Sequence, residues 1–222
     1  MTGNIYSHTH LIGTTEILPG DISMSHVYDL FTPNEAFDTY VRPHFKKHWL
    51  TSRISLKNWD DLKLNVQLEN DYFIYAGGGI TLIEDEEGII QADIAGVDTE
   101  VIRDFILTKP AKPFVEEPWE TISIKQKIAF EEELHKELGT NRFFRQKHPL
   151  QGFKLEALCK HCGNDDVLFT IGHPGSKNTF AVIHLTWRGE TEMDNYPSFK
   201  FFEDLDSFRE LRMFPDKADW LE

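Results

Sequence analysis

The sequence predicts an α+β fold of two small domains, each an antiparallel sheet packed with one or two helices. Three observations lead to that expectation. Apolar and polar residues alternate with period two through Leu62–Glu69 and again through Phe153–Lys160, as in strands with one wet face. Helical spacing is confined to a few segments that bracket these strands. The stretch from Thr108 to Pro118 holds Pro110, Pro113 and Pro118, which deny the backbone donors and φ values of regular structure. It is read as a linker, residues 108–118, between an acidic α+β domain at 1–110 and a second domain at 119–222.

The first domain opens with Ile5 to Ile17, rich in β-branched and aromatic residues and closed by Pro19-Gly20-Asp21, which reads as a strand or a hairpin. Pro33-Asn34-Glu35 begins a segment to about Leu50 in which Phe37, Tyr40, Val41, Phe45 and Trp49 lie near helical spacing. Pro43 inside it would kink or split that helix. Leu62, Leu64, Val66 and Leu68 then alternate with Lys63, Asn65, Gln67 and Glu69. Tyr72–Ala76, Ile80–Ile83 and Ile89–Ile94 follow as strands, punctuated by Gly77-Gly78-Gly79 and by Glu84-Asp85-Glu86-Glu87-Gly88, and an antiparallel meander is the economical arrangement. A short helix from Thr99 to Leu107 closes the domain.

The second domain reads α-β-β-β-(β)-α. A helix from Thr121 to Leu138 is stopped by Gly139, and Ile124, Ile128, Phe130, Leu134 and Leu138 share one sector that also admits Lys127, Glu131 and His135. Phe153, Leu155, Ala157 and Cys159 form the buried parity of a strand. Gly163-Asn164-Asp165-Asp166 makes a turn and Val167–Ile171 returns. Phe180–Trp187 is a third strand, Phe199–Phe202 a short fourth, and Asp204–Met213 the closing helix.

Composition excludes several classes. Of 222 residues, 40% are apolar and 13% aromatic, as in a folded globular chain rather than a disordered one. No apolar run reaches the ~20 residues of a membrane helix, and the first residues lack a basic start and an apolar block. With two cysteines and no Asn-x-Ser/Thr, a soluble cytoplasmic protein is expected. The 23 Lys and Arg against 37 Asp and Glu leave a net charge of −14, which repels nucleic acid and anionic membrane and draws in a basic protein partner. The acidity is concentrated: residues 60–104 carry twelve carboxylates against Lys63 and Arg103. Glu84, Asp85, Glu86, Glu87 and Asp93 are therefore the expected binding residues.

Motifs for chemistry are fragmentary. Cys159-Lys-His-Cys162 has C-x2-C form, but a closed zinc site needs two further ligands, and His173 and His184 stand at no finger spacing. A redox pair would place the first cysteine at a helix start, whereas here both fall near a strand end. The reading is a buried thiol beside a turn thiol, with no metal and no cofactor. His8 and His10 share one face of a strand and His44 and His48 lie one helical turn apart, yet Lys46 and Lys47 intervene in the second pair and no His-Glu-x-x-His occurs. Gly77-Gly78-Gly79 lacks the Lys-Ser/Thr of a phosphate loop and reads as a turn or bulge. Arg142-Phe-Phe-Arg145-Gln-Lys147-His148 is the one basic, aromatic patch and reads as an interdomain or core-capping segment.

His184-Leu-Thr186 resembles one half of the paired His-x-Thr/Ser motif of 2H phosphoesterases, and the partner motif is missing, so His184 is expected in the core or at the rim of its sheet. Asp165-Asp-Val-Leu-Phe169, Phe180-Ala-Val-Ile-His-Leu-Thr-Trp187 and Met213-Phe-Pro-Asp-Lys-Ala-Asp-Trp220 together resemble a signature of small bacterial proteins of unassigned activity. That resemblance covers about residues 148–222 and implies a bacterial origin only.

The expectation is a non-enzymatic, cytoplasmic bacterial binding protein, immunity- or antitoxin-like, whose acidic face blocks a basic toxin. The alternative is a hydrolase or metal-dependent enzyme built on His148, Asp165, Asp166 and His184, which lie on strand ends or loops of one sheet and could meet at its rim.

Overall fold

The computed structural model describes residues 1–20, 25–44, 59–108, 113–139, 148–172, 179–191 and 196–221. The chain forms two compact units, Met1–Pro113 and Phe114–Glu222. Each is an antiparallel sheet packed with a few helices, an α+β architecture. Among the described residues no helix is long and apolar enough to cross a membrane.

Unit 1 starts with a hairpin of β1 (Thr2–Ser7) and β2 (His10–Glu16). His8 sits in its turn with a left-handed φ of 53° and His10 opens β2, stacked on Tyr40 at 4.0 Å, so the two do not share a strand face as expected. β3 (Leu18–Pro19) and β4 (His26–Pro33) follow. The helix expected to run to Leu50, with a kink or split at Pro43, opens as α1 (Glu35–Tyr40), capped by Asn34, whose Oδ1 accepts the N–H groups of Ala36 and Phe37, and it breaks at Val41 before residues 42–44 turn helical again. The end of that expected segment, from residue 45, lies outside the described residues. β5 (Leu64–Leu68), β6 (Phe73–Ile74), β7 (Gly79–Glu84), β8 (Ile90–Ala95) and α2 (Thr99–Val101) complete the unit, α2 running into a π-helical segment, Ile102–Leu107.

These strands form one sheet in the order β6-β5-β1-β2-β4-β8-β7, with β3 beside β4. The expected meander is therefore corrected. β5–β6 and β7–β8 are hairpins, but they flank opposite ends of a centre made of β1, β2 and β4. The centre goes to the strands with most to bury: Ile5 pairs with Val66, and Val27 with Ile94, all of them within 1% of full burial. On the inner face Phe37 meets Phe31 at 5.4 Å and Phe105 meets Tyr72 at 5.1 Å, so both helices seal the same core. The three-glycine run leads into β7 at a close approach: Gly96 has φ 71°, and a Cβ there would lie 2.5 Å from the Gly78 nitrogen. Gly77 and Gly78 donate to the carbonyls of Gly96 and Ala95.

Unit 2 comprises β9 (Trp119–Thr121), α3 (Ile124–Leu138), β10 (Lys154–His161), β11 (Asp166–Gly172), β12 (Phe180–His184), β13 (Phe199–Phe202), α4 (Leu205–Phe208), a π-helical segment (Arg209–Met213) and α5 (Phe214–Trp220). The sheet order is β13-β12-β11-β10-β9. α3 begins later than its periodicity suggests because Trp119 pairs with His161 as a strand, and Ser123 and Gln126 then form a capping box. Its buried side chains are Ile124, Lys127, Phe130, Glu133, Leu134 and Glu137. Of the polar residues that blur its apolar sector, Lys127 is buried and paired, bonding Glu131 and lying 3.3 Å from Glu156, while His135 is exposed. Glu131 also accepts the Ala157 N–H at 3.0 Å, where β10 bulges between Ala157 and Cys159. The closing helix continues past Met213 to Trp220, with Asp204 as its cap.

Candidate functional site

The five carboxylates expected to bind a partner occupy four different environments. Glu84, at the end of β7, accepts from Arg42 Nη1 at 3.0 Å, and the same guanidinium lies over the Phe37 ring, so Glu84 ties β7 to α1. Asp85 Oδ1 accepts the N–H groups of Glu87 at 2.9 Å and Ile89 at 2.8 Å and holds the β7–β8 turn. Glu86 and Glu87 stand exposed at the tip of that turn. Asp93 lies elsewhere, in the middle of β8, with Oδ1 2.5 Å from His26 Nε2.

Register shows what surrounds Asp93. Ile83 pairs with Gln91 and Gln91 with Leu30; Thr81 pairs with Asp93, Asp93 with Tyr28, and Tyr28 with Leu18. Directly paired residues share a face, so these seven side chains stand together on the side of the sheet away from Val27, Phe31, Leu82 and Ile94. Leu18, Tyr28, Leu30 and Ile83 are all exposed there. Sequence reasoning missed them. The available signal was β4 itself, where Val27, Tyr28, Leu30 and Phe31 put apolar residues on both parities.

In unit 2 the structure brings together two of the four residues of the hydrolase expectation. The β9–β10–β11–β12 register places Trp119, His161, Asp166 and His184 on one face. Asp166 Oδ1 lies 2.8 Å from His184 Nδ1, and its Oδ2 accepts from Arg212 Nη2 at 2.7 Å. Arg212 Nε donates to Asp216 Oδ2 at 2.6 Å, and Trp119 Nε1 donates to the same oxygen at 2.8 Å. The closing helix is thereby clasped to the sheet through Asp166 and Asp216. Since the Asp166 carboxylate accepts from Nδ1, the Nε2 of the half-exposed His184 ring is the nitrogen left to take a proton.

The other two members of that set do not join it. His148 Nδ1 accepts the Leu150 N–H at 3.2 Å and Nε2 bonds the Pro197 carbonyl at 3.2 Å, so both nitrogens serve the backbone, and burial holds its pKa below the ordinary value. Asp165 Oδ1 accepts from Trp187 Nε1 at 3.1 Å and its carbonyl accepts the Leu185 N–H, which fixes the strand end. Arg212 and Asp216, which complete the cluster, were not singled out from the sequence; their spacing of four on a helix was the only sign.

Cys159 is buried in β10 and Cys162 exposed in the following turn, both free. Burial pushes the Cys159 thiol well up, away from thiolate chemistry. Among the described residues no group of three or more His, Cys, Asp or Glu side chains converges as a metal site. His48, His173 and residues 142–147 of the basic, aromatic patch lie outside the described residues. Comparison with protein-family models, with curated proteins and with solved structures finds no match to this chain.

Proposed function

We propose that this chain is a bacterial, cytoplasmic protein-binding module that captures a basic partner protein, in the manner of an immunity or antitoxin-like protein holding a basic toxin. One observation supports the reading above others: in a chain of net charge −14, the β7–β8 hairpin of unit 1 holds Glu86 and Glu87 out into solvent at its tip and Asp93 partly exposed on its open face. Such charges add little to folding, about 0 to 1 kcal/mol for an exposed pair. They act instead at long range, raising the association rate of an oppositely charged protein by roughly 10- to 1,000-fold at low salt.

The test is capture on the immobilised full chain from a bacterial lysate, followed by purification of the captured protein and measurement of its association rate. A basic protein is expected, bound stoichiometrically, with a rate that falls at high salt and falls at low salt in a Glu86→Gln/Glu87→Gln variant. An acidic partner, or a rate indifferent to both salt and variant, would contradict the proposal.

A further inference from the structure

We infer that the outer face of β3, β4, β8 and β7 is the docking surface itself, and that it receives a patch of partner protein with apolar residues at its centre and Arg or Lys around them. The inference rests on the basic-partner reading above and adds the residues that make the contact. Leu18, Tyr28, Leu30 and Ile83 are 51%, 42%, 59% and 40% exposed. The open face of an antiparallel sheet is ordinarily polar. Here Leu18, Tyr28 and Leu30 occupy neighbouring register positions on β3 and β4, and Ile83 stands across Gln91 from Leu30, two strand spacings of about 4.8 Å away, so the four form an apolar band about 16 Å long.

The arrangement is that of a contact centre rather than of scattered surface residues. Interfaces concentrate their energy in a central cluster rich in aromatics and ring it with polar groups. Tyr28 occupies the middle, stacked on His26 at 5.4 Å, with Asp93 directly across the strand pair. An arriving guanidinium or ammonium could meet the Asp93 carboxylate beside that aromatic ring.

Charge decides which occupant fits. A second copy of this chain would bring Asp93, Glu86 and Glu87 towards their own duplicates, and nucleic acid or an anionic membrane would meet the same repulsion. A basic protein removes it. The apolar centre supplies the desolvated contact and the carboxylates supply the approach.

Three short peptides serve as probes, alternating Arg with Leu, Arg with Ser and Glu with Leu, each titrated into the isotope-labelled full chain with amide shifts and affinity recorded. The Arg–Leu peptide is expected to bind tightest and to shift Tyr28, Leu30, Ile83 and Asp93. Leu30→Ser and Ile83→Thr, both at exposed positions, are each expected to weaken it roughly tenfold, the loss of about 1.4 kcal/mol, with the melting temperature nearly unchanged. If the Arg–Leu and Arg–Ser peptides bind alike and shift only the tip around Glu86 and Glu87, the docking face is wrong while the basic-partner reading stands. If the Glu–Leu peptide binds as tightly as the Arg–Leu peptide, the basic-partner reading fails and this inference fails with it. Shifts confined to unit 2, or a sedimenting dimer dissolved by Leu30→Asp, would also overturn the inference, the latter giving the face to a second copy.

Discussion

His148 and His161 show at the scale of single residues how a turn decides a protonation state. Each accepts a backbone N–H at Nδ1, from Leu150 and from Gly163 at 3.0 Å, so each is neutral with its proton on Nε2. Burial lowers both pKa values from 6.5, and for His161 the Arg212 charge pushes the same way while Asp216 and Asp166 oppose it. A histidine whose folded pKa lies below its unfolded one stabilises the fold above the unfolded pKa, and that contribution is lost as pH falls through the folded value. Unit 2 is therefore expected to hold its melting temperature above about pH 6.5 and to lose it progressively below. Melting curves across that range test this, with His148→Gln and His161→Gln each expected to flatten the acid slope; stability that rises on acidification would contradict it. Asp166 and His184 were legible in the sequence as strand-end residues of opposite character. Arg212 and Asp216 were not, because only tertiary contact shows that a helix drawn to Met213 runs on and folds back over that pair.

At the scale of elements, the β7–β8 turn separates structural from solvent-facing carboxylates within four consecutive residues. The Asp85 carboxylate holds two backbone N–H groups, those of Glu87 and Ile89, whereas the Glu86 and Glu87 side chains stand in solvent. Asp85→Ala is expected to cost about 1 kcal/mol through the loss of two exposed turn hydrogen bonds, Asp85→Asn much less because an amide oxygen still accepts, and Glu86→Gln/Glu87→Gln almost nothing. Chemical denaturation of the three variants checks the ranking, and equal losses would show that the whole acidic run is structural. The strand Leu64–Leu68 was readable from alternation, although Gln67 on its polar parity is buried as well. β4 was not, because Tyr28 and Leu30 on its open face erase the alternation that marks a half-buried strand. The feature that hid β4 from the sequence pattern is the feature that makes its outer face a candidate for binding. α3 was blurred for the opposite reason, since Lys127 and Glu133 are charged residues that point inward and find partners there.

At the scale of the whole molecule, two α+β units share a net charge of −14, and the α+β class was legible from segment order and period. Strand order in unit 1 was not, because local alternation says which residues are buried and nothing about which distant strand covers them. The proposed docking sets a basic partner on the outer face of the unit 1 sheet. Methyl cross-saturation tests it most directly, with the isotope-labelled full chain in complex with the purified captured partner and saturation applied to the partner alone. Saturation is expected to enter through the methyl groups of Leu18, Leu30 and Ile83. Entry through Leu211 and Leu221, exposed apolar residues of unit 2, with those three silent, would contradict it.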